Sequence, residues 1–195
     1  MKNTTITITV IALLLTGCRS STTDGTASLE ERLKNPLYGE RYAEELVDRM
    51  VEFKIQDDPI LEDEKKAGII EKTRKEWLEK GATARQKQNE GFRGQLITMK
   101  EYTRGEVLYA DNTLYTGTLF TTAPGPNLHF HLTTVVDPRD VEFPDETAID
   151  IGVLYSAYGA QTFSVPPVED PQQYRTVVLW DNDLERLYGF AQLSK

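Results

Sequence analysis

Cysteine and histidine are almost missing from this chain: 195 residues hold one Cys and two His. A single cysteine closes no intramolecular disulfide, and a structural zinc site built from Cys and His needs more ligands than these three residues supply. Positive charge is also scarce, with 22 Lys+Arg against 31 Asp+Glu and a formal net charge of -9. That balance argues against nucleic acid as a partner, because such binding rests on clustered Lys and Arg neutralising phosphates. The longest apolar run, Ile6 to Leu15, is shorter than the roughly 20 residues that span a bilayer. Missing too are the Gly-x-Ser-x-Gly elbow, the P-loop, the Rossmann glycine fingerprint and the HExxH pair. No catalytic residue is assigned, and an enzyme is the minority reading. Present instead are 39% hydrophobic residues, enough to build a core for one domain or two small ones.

The N-terminus has one basic residue, Lys2, an apolar stretch broken by threonines, and then Leu15-Thr16-Gly17-Cys18. A basic start, a short apolar run and small residues before a cut describe a secretory signal peptide over residues 1–17. The last four residues resemble the lipobox of bacterial lipoproteins, in which the cysteine thiol is acylated, as by palmitate, and the chain is cut just before it. The competing reading is an ordinary signal peptide with a chance cysteine. The lipobox makes Cys18 a lipidation site and the membrane a partner, since several acyl chains hold where one is marginal. Arg19 follows, so in a Gram-negative cell envelope the resemblance implies the periplasmic face of the outer membrane. Residues 18–27 are then the lipidated cysteine and a small, polar, flexible tether.

Residues 28–90 carry 16 acids and 13 bases, the mixed texture of solvated helix faces. Ser28 with Glu31 is a capping-box signature, and Pro36 and Gly39 read as an interruption. Tyr42, Leu46, Met50 and Phe53 recur on one helical face. Asp58-Pro59 starts a second helix, with Ile60, Leu61, Ala67, Ile70, Trp77 and Leu78 as its apolar side and an end near Gly81. The two make a helical hairpin.

From residue 91 prolines, glycines, threonines and aromatics replace the Lys/Glu alternation. Short β-rich runs cover Gln95 to Met99, Glu106 to Ala110, Thr113 to Phe120, Leu128 to Val136, Ala160 to Val165, Tyr174 to Trp180 and Leu187 to Leu193. Turn-formers separate them. The fold class is α+β, a helical hairpin over 28–90 followed by an antiparallel β-sandwich or barrel over 91–195. This second region has 14 acids and 7 bases, so 7 of the net negative charges lie here.

Five segments of the C-terminal region resemble the DM13 domain, a secreted all-β module, in order and spacing. They are Arg104 to Val107, the Gly125-Pro126-Asn127-Leu128-His129-Phe130-His131-Leu132 segment, Asp150 to Leu154, Gly159 to Pro166, and Tyr174 to Trp180 with Tyr188 to Ala191. The resemblance implies an all-β fold and a proposed link to electron transfer. The chain departs from the family pattern at Trp180-Asp181, where the family has Trp-Cys, and at Asn127, where it has Asp. Residues Asp137 to Asp150 look like an acidic insertion. The resemblance does not reach residues 28–90.

Three constellations remain. His129 and His131 sit two apart in a strand and share a face, a geometry that suits a copper, zinc or nickel ion if the fold adds a third donor. Half-buried structural histidines are the competing reading. Asp137, Asp140, Glu142, Asp145 and Glu146 offer oxygens to calcium but lack EF-hand spacing; a solvated acidic loop explains them as well. Tyr155 and Tyr158 lie in a turn-rich segment and are candidates for a contact surface, whereas Trp180 alternates with Val178 as core.

These readings lead to a lipid-anchored envelope protein in which a DM13-like domain is a non-catalytic binding or scaffold module for an envelope protein or cell-wall polymer. No cofactor is expected, although a divalent metal is compatible with the histidine pair. The alternative is a redox or metal-linked role of the kind the family resemblance implies.

Overall fold

The computed structural model describes residues 27–195. The single turn α1 (Leu29–Arg32) is capped by Ser28, whose Oγ accepts the Glu31 N–H at 3.2 Å. The long helix α2 (Pro36–Ile55) begins where an interruption was expected. Asn35 Oδ1 accepts the N–H groups of Leu37 and Tyr38 at 3.0 and 3.3 Å, and Pro36 occupies the first helical position, where no donor is needed. A 3-10 turn over Pro59–Glu62, capped by Asp58, leads into α3 (Glu64–Glu90).

Cross-helix ion pairs set the antiparallel register: Arg85 with Glu40 at 2.6 Å near the base, and Lys54 with Glu71 at 2.6 Å toward the tip. α3 passes through Gly81, its expected end, because that glycine is a contact point and not a stop. A Cβ there would lie 3.2 Å from Ala43 Cβ, so small residues on both helices let the backbones approach. Trp77 packs against Tyr42, ring centroids 5.0 Å apart and planes tilted by 54°, which turns its neighbour Leu78 outward, since consecutive residues lie about 100° apart around a helix. Leu78 therefore leaves the expected apolar side. No described helix is long and apolar enough to cross a membrane.

The β region starts one residue after α3 ends and its cap Gly91. One antiparallel sheet joins β1 (Phe92–Gln95), β4 (Glu106–Ala110), β5 (Thr113–Thr116) and β9 (Thr162–Ser164) in that order. The second has the order β2 (Ile97–Thr98), β11 (Arg186–Gln192), β10 (Thr176–Asp181), β7 (Leu128–Thr133) and β8 (Ile149–Val153). A two-stranded ribbon pairs β3 (Thr103–Arg104) with β6 (Thr121–Thr122). The α+β reading of a helical hairpin followed by antiparallel sheets is what the chain adopts.

The main core gathers Val107, Tyr109, Leu114, Phe130, Phe163 and Leu179. Phe130 is its centre, tilted against Phe120 at 5.8 Å and edge-on to Phe163 at 5.2 Å. A smaller cluster, Phe143, Val178, Trp180 and Phe190, covers the opposite face of the five-stranded sheet. With both faces buried, β10 reads as the continuous run Thr-Val-Val-Leu-Trp and not as an alternation. The acidic segment contributes to this second cluster: it carries Phe143 onto Trp180, 5.1 Å edge-on, and so packs on the sheet instead of lying wholly in solvent.

Asn35 joins hairpin to β region. Its Nδ2 donates to the backbone oxygens of Thr116 and Gln161 at 3.0 and 3.2 Å, in a buried environment.

Candidate functional site

The turn after β10 and the entry to β7 meet at one end of the five-stranded sheet. Asp181, the last residue of β10, is fully buried. Its Oδ1 accepts the N–H groups of Asp183 and Leu184 at 3.1 and 3.0 Å, the side-chain bonding expected of an aspartate opening a turn. Its Oδ2 accepts the Asn127 N–H at 3.3 Å and presses on Gly125, where an added Cβ would come within 2.5 Å. Glycine at 125 is thus required by close approach. The Asn182 N–H returns to the Asn127 carbonyl at 2.9 Å, so the two turns are clamped together.

From this clamp a polar chain runs to the histidines. Asn127 Nδ2 donates to Asp183 Oδ1 at 2.8 Å, which points Asn127 Oδ1 at His129 Nε2, 2.9 Å away. On the other side His129 Nδ1 lies 2.9 Å from both carboxylate oxygens of Asp150, on β8. His131 pairs with Val178 across the ladder and is 4% exposed, with Nε2 3.3 Å from Asn182 Oδ1 and its ring edge-on to Phe143.

The histidines share a face, as strand geometry requires, with ring centroids 6.3 Å apart. Both ring nitrogens of His129 are engaged, by Asp150 and Asn127, and Nδ1 of His131 is buried without a partner. Among the described residues no three His, Cys, Asp or Glu side chains converge as a metal-binding group. A divalent ion on this pair would have to displace Asp150 or Asn127 from His129.

Burial pushes the His131 pKa below the ordinary imidazole value, against the opposing influence of Asp150 and the Asn182 hydrogen bond. A folded-state pKa below the unfolded one means that the unfolded chain takes up the proton first as pH falls. This group leaves stability unchanged well above the unfolded value of 6.5, lowers it as pH drops through 6.5, and ceases to lower it below the folded pKa. Denaturant titrations between about pH 7.5 and 5.5 are expected to show that loss in the native sequence and a smaller one in His131→Asn. Equal slopes would refute the assignment.

The acidic residues are dispersed. Asp137 is held by Arg139, whose guanidinium hydrogen bonds keep its carboxyl at about 2, well below the usual carboxylate range. Asp145 accepts from Thr133 Oγ1 at 2.6 Å and from the Thr147 N–H at 2.8 Å. Asp140, Glu142 and Glu146 are exposed. Tyr155 and Tyr158 are 71% and 68% exposed, on a loop that Gln161 organises. Cys18 lies outside the described residues.

Sequence reasoning missed Asn127, Asp150, Asn182, Gln161 and Asn35 as organising residues. Asn35 had a local signal, an Asn-Pro pair ahead of an apolar helical period. Asp150 and Asn182 act on histidines 21 and 51 positions away and Asn127 on Asp181 54 positions away, with no local signal, while Gln161 reaches Tyr155 and Ser156 only 6 and 5 positions back through a turn that has no periodic pattern.

No curated protein and no solved structure matches the chain. A family model, Electron transfer DM13, matches residues 95–193. That interval runs from the end of β1 to the residue after β11, and so takes in the five-stranded sheet, the four-stranded sheet apart from most of β1, and the clamp at Asp181. Covering 99 of the 195 residues, it places the chain in the DM13 family.

Proposed function

We propose that this DM13 protein is an envelope lipoprotein, anchored through acylated Cys18, whose β domain is a non-catalytic binding scaffold and not an electron carrier. The observation that carries the reading is Asp181. It binds three backbone N–H groups as the clamp between two turns and has no redox chemistry of its own, at a position where the family resemblance implies a cysteine. Two features support a tethered scaffold: the polar linker of residues 18–27, and a helical hairpin of 20 and 27 residues rooted on the β domain at Asn35. The domains follow the same division, signal peptide 1–17, tether 18–27, hairpin 28–90 and DM13 domain 91–195.

Cys18→Ser is expected to move the protein from the membrane fraction to the soluble fraction of the envelope, because the acyl chains are its only proposed anchor. Unchanged fractionation rejects the lipid anchor. Voltammetry of the mature protein tests the scaffold half: a reversible redox wave rejects it.

One observation favours a second reading, in which the family's electron-transfer association survives through a metal at His129 and His131. The buried Nδ1 of His131 has no partner and is available as a ligand. Stoichiometric copper, zinc or iron in the purified protein, lost with His131→Ala, supports that reading; metal-free protein ends it.

A further inference from the structure

We infer that the exposed tyrosine loop between β8 and β9 is a stacking platform for a glycan strand, with Tyr155 as its primary contact. The inference names the partner class for the scaffold proposed above and rests on that reading for its location.

Tyr155 lies flat on Phe163, ring centroids 5.0 Å apart and planes 4° from parallel, yet 71% of the residue is exposed. One face is backed by a ring fully buried in the core, and the other is open to solvent. Single exposed apolar residues are common on a folded surface; what sets Tyr155 apart is that its ring is held flat against a buried one. Tyr158, 68% exposed, stands on the same loop.

The loop is built to hold these rings still. Gln161 Oε1 accepts the N–H groups of Tyr155 and Ser156, both at 3.0 Å, while its Nε2 donates to the Ser156 carbonyl at 2.8 Å. The Tyr158 N–H is fixed by Ser156 Oγ at 3.0 Å, and Thr116 Oγ1 donates to the Gly159 carbonyl at 3.0 Å. The ordering cost is met in folding and not on binding, which is the source of affinity in a preorganised surface.

The platform continues. Tyr158 bridges to Thr121, beside Leu119, which is 65% exposed. Leu119 in turn lines a shallow groove of about 230 Å³ with Tyr38, Arg41, Tyr42, Glu45 and Thr118. Exposed aromatic and aliphatic side chains therefore occur both on the β8–β9 loop and at the groove beside α2, with hydroxyl and charged groups among them.

The chemistry selects among occupants. An open, flat ring suits the C–H face of a sugar, whose hydroxyls stay in water or bond to the rim, better than it suits a protruding side chain that needs a pocket. The β domain carries 14 acids against 7 bases, which disfavours anionic lipid headgroups and polyphosphates. An exposed ring with no deep cleft beside it fits an extended chain laid across it more than an enclosed small ligand.

The test uses the mature full-length chain in detergent, with protein-free peptidoglycan as an insoluble probe and chito-oligosaccharides as soluble ones. Co-sedimentation is expected with the native sequence, and Tyr155→Ala is expected to weaken it about tenfold, Tyr155→Phe much less, because the stacking face and not the hydroxyl makes the contact. Melting curves of the variants control for folding. Absence of binding to both probes, or equal binding by native protein and Tyr155→Ala, overturns the inference. Capture of a protein without glycan does so as well. The Cys18→Ser fractionation result is independent: an anchored protein that ignores glycan sinks this inference alone, and an unanchored one that binds glycan sinks only the lipoprotein reading.

Discussion

Asp181→Ala is expected to cost about 2–3 kcal/mol of stability and to lower the melting temperature by roughly 5–10 °C. The residue is fully buried and accepts from Asn127, Asp183 and Leu184. Alanine leaves those donors without their acceptor; the bonds are part-buried, so water replaces some of them and each costs nearer about 1 than 3 kcal/mol. The loss also frees the Gly125-Pro126-Asn127 turn from the β10–β11 turn, so Asn127 no longer presents its oxygen to His129. Asp181→Asn keeps an acceptor for two of the three N–H groups and is expected to lose less than half as much. Asp181→Cys supplies only a weak sulfur acceptor. It is expected to fall near the alanine variant in stability. Thermal and denaturant unfolding of the three variants measures the order; an alanine variant as stable as the native chain would remove the structural role and with it the main support for the scaffold reading.

Asn35→Ala is the second large effect, expected at about 3–4 kcal/mol. The cap bonds to Leu37 and Tyr38 account for about 1 kcal/mol, as helix caps do. The rest comes from the opposite end of the amide, which donates to the buried oxygens of Thr116 and Gln161. Asn35→Asp separates the two parts, because a carboxylate still caps the helix but cannot donate. Hydrogen exchange reads the difference: the alanine variant is expected to expose the first turn of α2 and the Gly159–Gln161 backbone together, the aspartate variant mainly the latter. Protection unchanged in both would refute the joint.

Much of the architecture was legible because it depends on residues close in sequence. The charge-dense stretch gave the hairpin, and the change of texture at residue 91 fell one residue before β1 begins. The run Glu106 to Ala110 is β4 as expected, since alternating β-branched and aromatic residues need no distant partner to be recognised. Four strands were not anticipated by pattern. β3 and β6 are two residues each, too short for a period; β1 has glycine and glutamine, which carry no strand preference; β8 contains Gly152 at φ +127°, where a register shift in the ladder calls for glycine. The end of α3 was misplaced for a related reason: Gly81 is a breaker when read alone and a helix contact once Ala43 faces it.

The candidate sites divide along the same line. That His129 and His131 share a face follows from a strand's period of two, and that Asp181 opens a turn follows from its own side chain. That Asp150 holds Nδ1 of His129 and that Asp181 holds Asn127 are decided by segments 21 and 54 residues apart, and the short-range bonds of Asn127 to His129 and of Gln161 to the tyrosine loop are made where those segments pack. Periodicity and capping are local energies, and a chain reports them wherever it is read. A hydrogen bond between distant segments exists only after loop closure has been offset by the burial of two sheets and a helical pair. The class of the fold was therefore written in short stretches of residues, and the meaning of its polar side chains in the packing.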